Sequence, residues 1–103
     1  MPDTVDLLIG VLLDSSARED ERDDAAMDLG RYDDDKALAA LAGVASNFAE
    51  NETVLDSCGE STGKILVKKQ KYDKNLLDSL APIAKNAAQS FIKEVKPELF
   101  NFI

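Results

Sequence analysis

A chain of 103 residues supports one domain with a single modest core, and its apolar fraction of 45% is that of a globular protein rather than a disordered one. The formal net charge of −8 is unevenly placed: residues 1–60 carry 16 acidic and 4 basic side chains, residues 61–103 carry 4 and 8. That split excludes nucleic acid as a partner for the first half, which would repel phosphates, and favours encounter with a basic protein surface.

Aromatic residues are few and tryptophan is absent, so the core must be built from Ala, Leu, Val and Ile, which suits close-packed helices. One cysteine, Cys58, cannot form an internal disulfide and points to a reducing compartment. The start, Met1-Pro2-Asp3-Thr4, lacks a basic secretion signal, and no apolar run approaches the roughly 20 residues needed to cross a bilayer. A soluble, cytoplasmic protein without membrane contact is expected.

In chain order, Val5, Leu8, Ile9, Leu12 and Leu13 follow helical spacing, with Asp3 or Thr4 as N-cap and Asp14-Ser15-Ser16 as the stop. A second helix runs from Ala17 or Arg18 to Leu29, with Arg22, Ala25, Ala26 and Leu29 inward; Gly30 follows as a left-handed C-cap. Asp33, Asp34 or Asp35 caps a third helix with Leu38, Leu41, Val44, Ala45 and Phe48 on one side. Asn47 or Asn51 opens a fourth, through Val54, Leu55, Cys58, Thr62, Ile65 and Leu66 to Lys69. Asp73 begins a fifth that carries Leu76, Leu77, Leu80, Ile83, Ala84 and Ala87. A last helix holds Phe91, Ile92 and Val95 before Pro97. No segment alternates with period two, so the chain is all-α.

These elements repeat. A shift of 33 places Leu8, Gly10 and Val11 on Leu41, Gly43 and Val44, and Asp23, Ala26 and Gly30 on Asp56, Gly59 and Gly63. A shift of 39 or 40 places Tyr32-Asp33 on Tyr72-Asp73 and Leu38, Leu41 and Val44 on Leu77, Leu80 and Ile83. A helix pair of this kind cannot bury both faces alone, so neighbouring pairs must stack into one core. The expected architecture is a single domain of about six helices, a short α-solenoid of three stacked antiparallel pairs, with units at about 4–31, 32–70 and 71–103.

The run Arg22-Asp23-Asp24-Ala25-Ala26-Met27-Asp28-Leu29-Gly30-Arg31, followed by Asp33-Asp34 and Ala37-Leu38-Ala39-Ala40-Leu41, resembles the HEAT-like repeat. Its closest variety is the short type of bacterial phycobilin-lyase-related proteins. The second unit matches loosely, with Thr62 in place of a leucine, and the third has lost the signature and reads as a cap. The resemblance implies a curved binding surface formed by the second helices of the pairs.

Signals for chemistry are poor. Histidine, the commonest general base and metal ligand, is absent. Cys58 falls on an inward row and reads as packing. Asp33-Asp34-Asp35 lacks the spaced ligands and terminal glutamate of a calcium loop and suits a helix N-terminus instead. Gly59-Glu-Ser-Thr-Gly63-Lys64 has the composition of a phosphate loop but not its spacing. The basic run Lys64, Lys68, Lys69, Lys71 and Lys74 reads as a solvated helix end. Neither a catalytic residue, a metal site nor a cofactor is expected, and an acid–base role for Asp24 and Asp28 is set aside.

Binding remains. The outward rows of the second helices hold Asp20, Asp23, Asp24, Asp28 and Arg31, then Thr53, Asp56, Ser57, Glu60 and Lys64, an acidic strip on a concave side. Tyr32 is either an aromatic anchor or a turn residue packed on Leu29. The expected function is an acidic inhibitor, similar in class, size and charge to bacterial immunity proteins, that occludes a basic toxin of nuclease type as a monomer in a 1:1 complex. Asp20, Asp23, Asp24, Asp28, Asp56 and Glu60 would face the toxin's lysines and arginines. The competing reading is a general HEAT-like adaptor or lyase-type accessory subunit. The apolar tail, Leu99, Phe100, Phe102 and Ile103, is expected to close the core.

Overall fold

Aspartate and asparagine open most of the helices. In the computed structural model, which describes residues 3–102 with side chains through Phe100, α1 (Thr4–Leu13) begins where Asp3 accepts the Asp6 amide at 2.8 Å. α2 (Glu19–Leu29) follows Arg18, whose own amide donates to Glu21 Oε1 at 3.2 Å. Asp34 caps α3 (Asp35–Ala45) by accepting from the amides of Lys36 and Ala37, and Asn51 caps α4 (Glu52–Lys69) by accepting from Thr53 and Val54. Asp73 does the same for α5 (Lys74–Asp78), and Pro82 stands at the first turn of α6 (Pro82–Val95). A 3-10 helix spans Pro97–Phe102. Each capping oxygen satisfies amides that have no partner within the helix, and each is worth about 1 kcal/mol.

All regular structure among the described residues is helical, as the absence of period-two alternation predicts. No helix there is long and apolar enough to cross a membrane. Three local expectations are corrected. Gly30 is not a left-handed cap: its φ is −64°, and the left-handed residue is Gln70 at φ 53°, which ends α4 while the Lys71 amide returns to the Leu66 carbonyl at 3.0 Å. Phe48 is not on the buried side of α3. It lies beyond the helix end and is 71% exposed. The fifth helix does not run from Asp73 to Ala87, because Pro82 lacks an amide hydrogen and cannot continue a preceding turn. α5 therefore stops after five residues, and Phe91, Ile92 and Val95 share one helix with Ala84.

The core follows the predicted rows except at helix ends, where Leu13, Ile83 and Val95 are exposed because they stand in the last turn of α1 and the first and last turns of α6. Leu12, Leu29, Leu41, Ile65, Leu66, Leu77 and Ile92 are fully buried, with Ala25, Ala26, Val54, Leu55 and Cys58 among them. Leu99 is buried and Phe100 lies against Tyr72, ring centroids 4.8 Å apart, so this part of the tail does cover the core. Ile103 and the side chain of Phe102 lie outside the described residues.

α1 packs on α2 and α3 on α4, while α2, α4 and α6 form a row with α4 at its centre. The third unit departs from the others, since α5 makes few contacts with α6 and the start of α6 is tied instead to α3, by the Ala81 amide on the Ala45 carbonyl at 2.8 Å. Two close approaches hold the row. A Cβ added at Gly30 would lie 2.9 Å from Ser61 Cβ on α4, and one at Gly59 would lie 2.6 Å from Ala84 Cα on α6. Gly63 meets Ala88 and Phe91 in the same way one turn later. Ala26-x-x-x-Gly30 on α2 and Gly59-x-x-x-Gly63 on α4 thus serve successive interfaces, and they are the small residues that the 33-residue shift superimposes.

Candidate protein-binding surface

α4 presents different residues to each neighbour because every side chain on a helix turns about 100° from the last. Val54, Leu55, Cys58, Thr62, Ile65 and Leu66 enter the core. Gly59 and Gly63 meet α6, and Ser57 and Ser61 meet α2. Ser61 Oγ donates to the Ala26 carbonyl at 2.7 Å, and Ser57 Oγ donates to Asp23 Oδ1. Asp56, Glu60 and Lys64, four residues apart, remain on the side away from the core.

The proposed acidic residues therefore do not all stand alike. Asp24 and Asp56 are exposed and form no ion pair among the described residues. Asp20 is exposed but 3.2 Å from Arg18 Nε, Asp28 is half-buried and 3.6 Å from Arg31, and Glu60 is half-buried and 3.7 Å from Lys64. Asp23 sits in the seam between α2 and α4 on Ser57. Ser57 itself is buried rather than in an outward row, a correction that follows from α2 lying against it. Tyr32 packs against the core, the turn-residue alternative of the two weighed for it. The Asp23–Ser57 bond brings the α2 and α4 rows together.

The four cations of residues 1–60 are all engaged. Arg18 pairs with Asp20 and Glu21, Arg31 with Asp28, and Lys36 with Asp6 at 2.9 Å. Arg22 is the most constrained: its Nε donates to the Leu12 carbonyl at 2.9 Å and its two terminal nitrogens to Glu50 at 3.0 and 2.7 Å, with each side chain 15% exposed. The guanidinium hydrogen bonds hold the Glu50 carboxyl below its ordinary range, against the opposing effect of burial. Two lysines of the basic run of α4 are similarly occupied, Lys69 between Asp33 and Asp35 at 2.7 and 2.8 Å and Lys64 5.9 Å from the centre of the Phe91 ring, while Lys68 is exposed. Burial pushes the Cys58 thiol up to about 12, which leaves it protonated and unreactive at neutral pH.

Sequence reasoning placed Arg22 inward but missed its partner Glu50, which no spacing rule connects across 28 residues. It missed Ser61 as well, although Ser57 and Ser61 at i and i+4, beside Gly59 and Gly63, make a stripe of small residues that signals a close helix contact. One open cleft of about 470 Å³ lies between the C-terminal end of α1 and α3, over the Arg22–Glu50 pair. Comparison with protein-family models, with curated proteins and with solved structures finds no match to this chain.

Proposed function

We propose that the protein is a non-enzymatic binding module, an inhibitor of the immunity-protein kind, which docks the acidic flank of α2 and α4 on a basic protein partner such as a nuclease toxin and occludes it. One observation carries this reading. The arginines and lysine of the first 60 residues are all paired internally, so the surplus acid, with Asp24 and Asp56 at its centre, faces solvent on two adjacent helices. Such a field accelerates encounter with a cationic surface and does so less as salt rises, because charges separated by more than about 8 Å are screened at physiological ionic strength. A cytoplasmic 1:1 complex is the simplest assembly for a chain of this size.

The test is capture of the partner from the native cell, purification of that partner, and stopped-flow association in rising salt. The paired reversal Asp24→Lys and Asp56→Lys avoids Asp23, whose bond to Ser57 belongs to the fold. It is expected to slow association by about tenfold or more at low salt, with little change in melting temperature. Association that is insensitive both to salt and to the reversal would remove the mechanism.

A further inference from the structure

α1 and α3 are joined at one end and parted at the other. Lys36 Nζ bonds Asp6 at 2.9 Å and approaches Asp3 at 3.7 Å, which ties the starts of the two helices. Toward their C-terminal ends lies the cleft of about 470 Å³, with Leu13 on one wall, Ala40, Gly43 and Val44 on the other, and Arg22 and Glu50 beneath.

Three features of this cleft bear on what would occupy it. Gly43 stands in the last turn of α3 with ordinary helical geometry, and an added Cβ would meet nothing within 4 Å. A glycine inside a helix costs about 1 kcal/mol relative to alanine, and no neighbour or backbone angle requires it here. What it does is leave the cleft wall bare. A large apolar side chain is exposed in its wall: Leu13 is 58% exposed. Lastly, the rim is anionic. The one cation lining the cleft, Arg22, is engaged by Glu50 and the Leu12 carbonyl. Asp14 follows Leu13 directly, Glu19 holds Asn51 beside Glu50 at 3.0 Å, and neither α1 nor α3 has a basic residue in its last turn.

Arg22 and Glu50 satisfy each other at the floor of the cleft, and the other polar lining residues, Ser15 and Asn47, are exposed. An apolar wall under an anionic rim matches an occupant that is both apolar and cationic. We propose that the cleft is a second contact surface, which receives an apolar side chain from a lysine- or arginine-rich protein segment whose cations lie over Asp14 and Glu19. It rests on the reading that the partner is basic, and adds the place where that partner is anchored.

The probe is a synthetic amphipathic helix of leucine and lysine, titrated into ¹⁵N-labelled protein, with an alanine/lysine and a leucine/glutamate peptide beside it. Shifts are expected at Leu13, Gly43 and Val44 with the leucine/lysine peptide, and binding weaker by about tenfold when leucine becomes alanine, from the burial of one large side chain. Gly43→Leu places its Cβ in open space and its branch in the cleft, so it should weaken the peptide by a similar factor while the melting temperature reports that the fold is kept. The Asp24→Lys, Asp56→Lys protein should retain the cleft shifts, which separates this surface from the α2–α4 flank: loss of those shifts in the reversal protein overturns the separate cleft, whereas partner binding indifferent to the reversal overturns only the flank. Unchanged affinity in Gly43→Leu, equal binding of the glutamate peptide, or self-association through the cleft in sedimentation would each overturn the proposal.

Discussion

Replacing Gly59 by alanine tests the packing of the helix row most sharply. The new methyl would lie 2.6 Å from Ala84 Cα and closer still to the Ala84 carbonyl oxygen, and both atoms are backbone. No side chain can rotate away, so α6 must retreat from α4 by about an ångström along the contact that also includes Gly63 and Ala88. Alanine favours a helix over glycine by about 1 kcal/mol, whereas overpacking of this kind costs about 1–3 kcal/mol and more where backbone must move. The backbone clash places Gly59→Ala at the upper end, a net loss of about 2–3 kcal/mol and a fall in melting temperature of roughly 10–20 °C for a domain of this size. Gly63→Ala, with its nearest contact at 2.8 Å, should lose less. Gly10→Ala and Gly43→Ala, which meet nothing within 4 Å, should gain up to about 1 kcal/mol from propensity alone. Urea unfolding followed by far-UV circular dichroism measures all four. A Gly59→Ala protein as stable as the parent, or four glycines that respond alike, would refute the account of why α4 and α6 lie so close.

The Arg22–Glu50 pair predicts an acid-sensitive fold. Because the folded carboxyl titrates below its ordinary value near 4.5, its contribution is fully present above that pH and is lost as pH falls through the lower folded value. Glu50→Gln should cost about 3 kcal/mol at pH 7, since it leaves a largely buried guanidinium without its counter-ion, and should flatten the acid limb of stability against pH. Cys58, its thiol pushed up to about 12 and its side chain buried, should react with a thiol reagent only as fast as the protein unfolds, so labelling rates should follow urea concentration.

Much of this fold is written in local chemistry. The caps at Asp3, Asp34, Asn51 and Asp73 could be read because a short acceptor before an apolar-periodic run has one common use. The buried rows of α2 and α4 followed from spacing. What escaped was decided by groups distant in the chain: Gly30 looked like a helix terminator, whereas its lack of a side chain admits Ser61 from another helix. The apolar spacing on either side of Pro82 reads as one continuous helix, although the missing amide of that proline decides where α6 starts. On the candidate surface, composition located the acid but not its neutralisation, since Arg31 and Lys64 lie on the same helical faces as Asp28 and Glu60 and pair with them. Asp24 and Asp56 stand out only once those pairings are counted.

The position of α4 has a consequence for how the molecule comes apart. Long helical arrays can shed a terminal unit and leave the remainder folded, because each boundary belongs to a different pair of neighbours. Here both boundaries run along one helix, Ser57 and Ser61 on one flank and Gly59 and Gly63 on the other. Peeling away either end lays bare the element on which the other end depends, so α2, α4 and α6 are expected to melt as one body, and a truncated version to be a collapsed chain rather than a smaller copy.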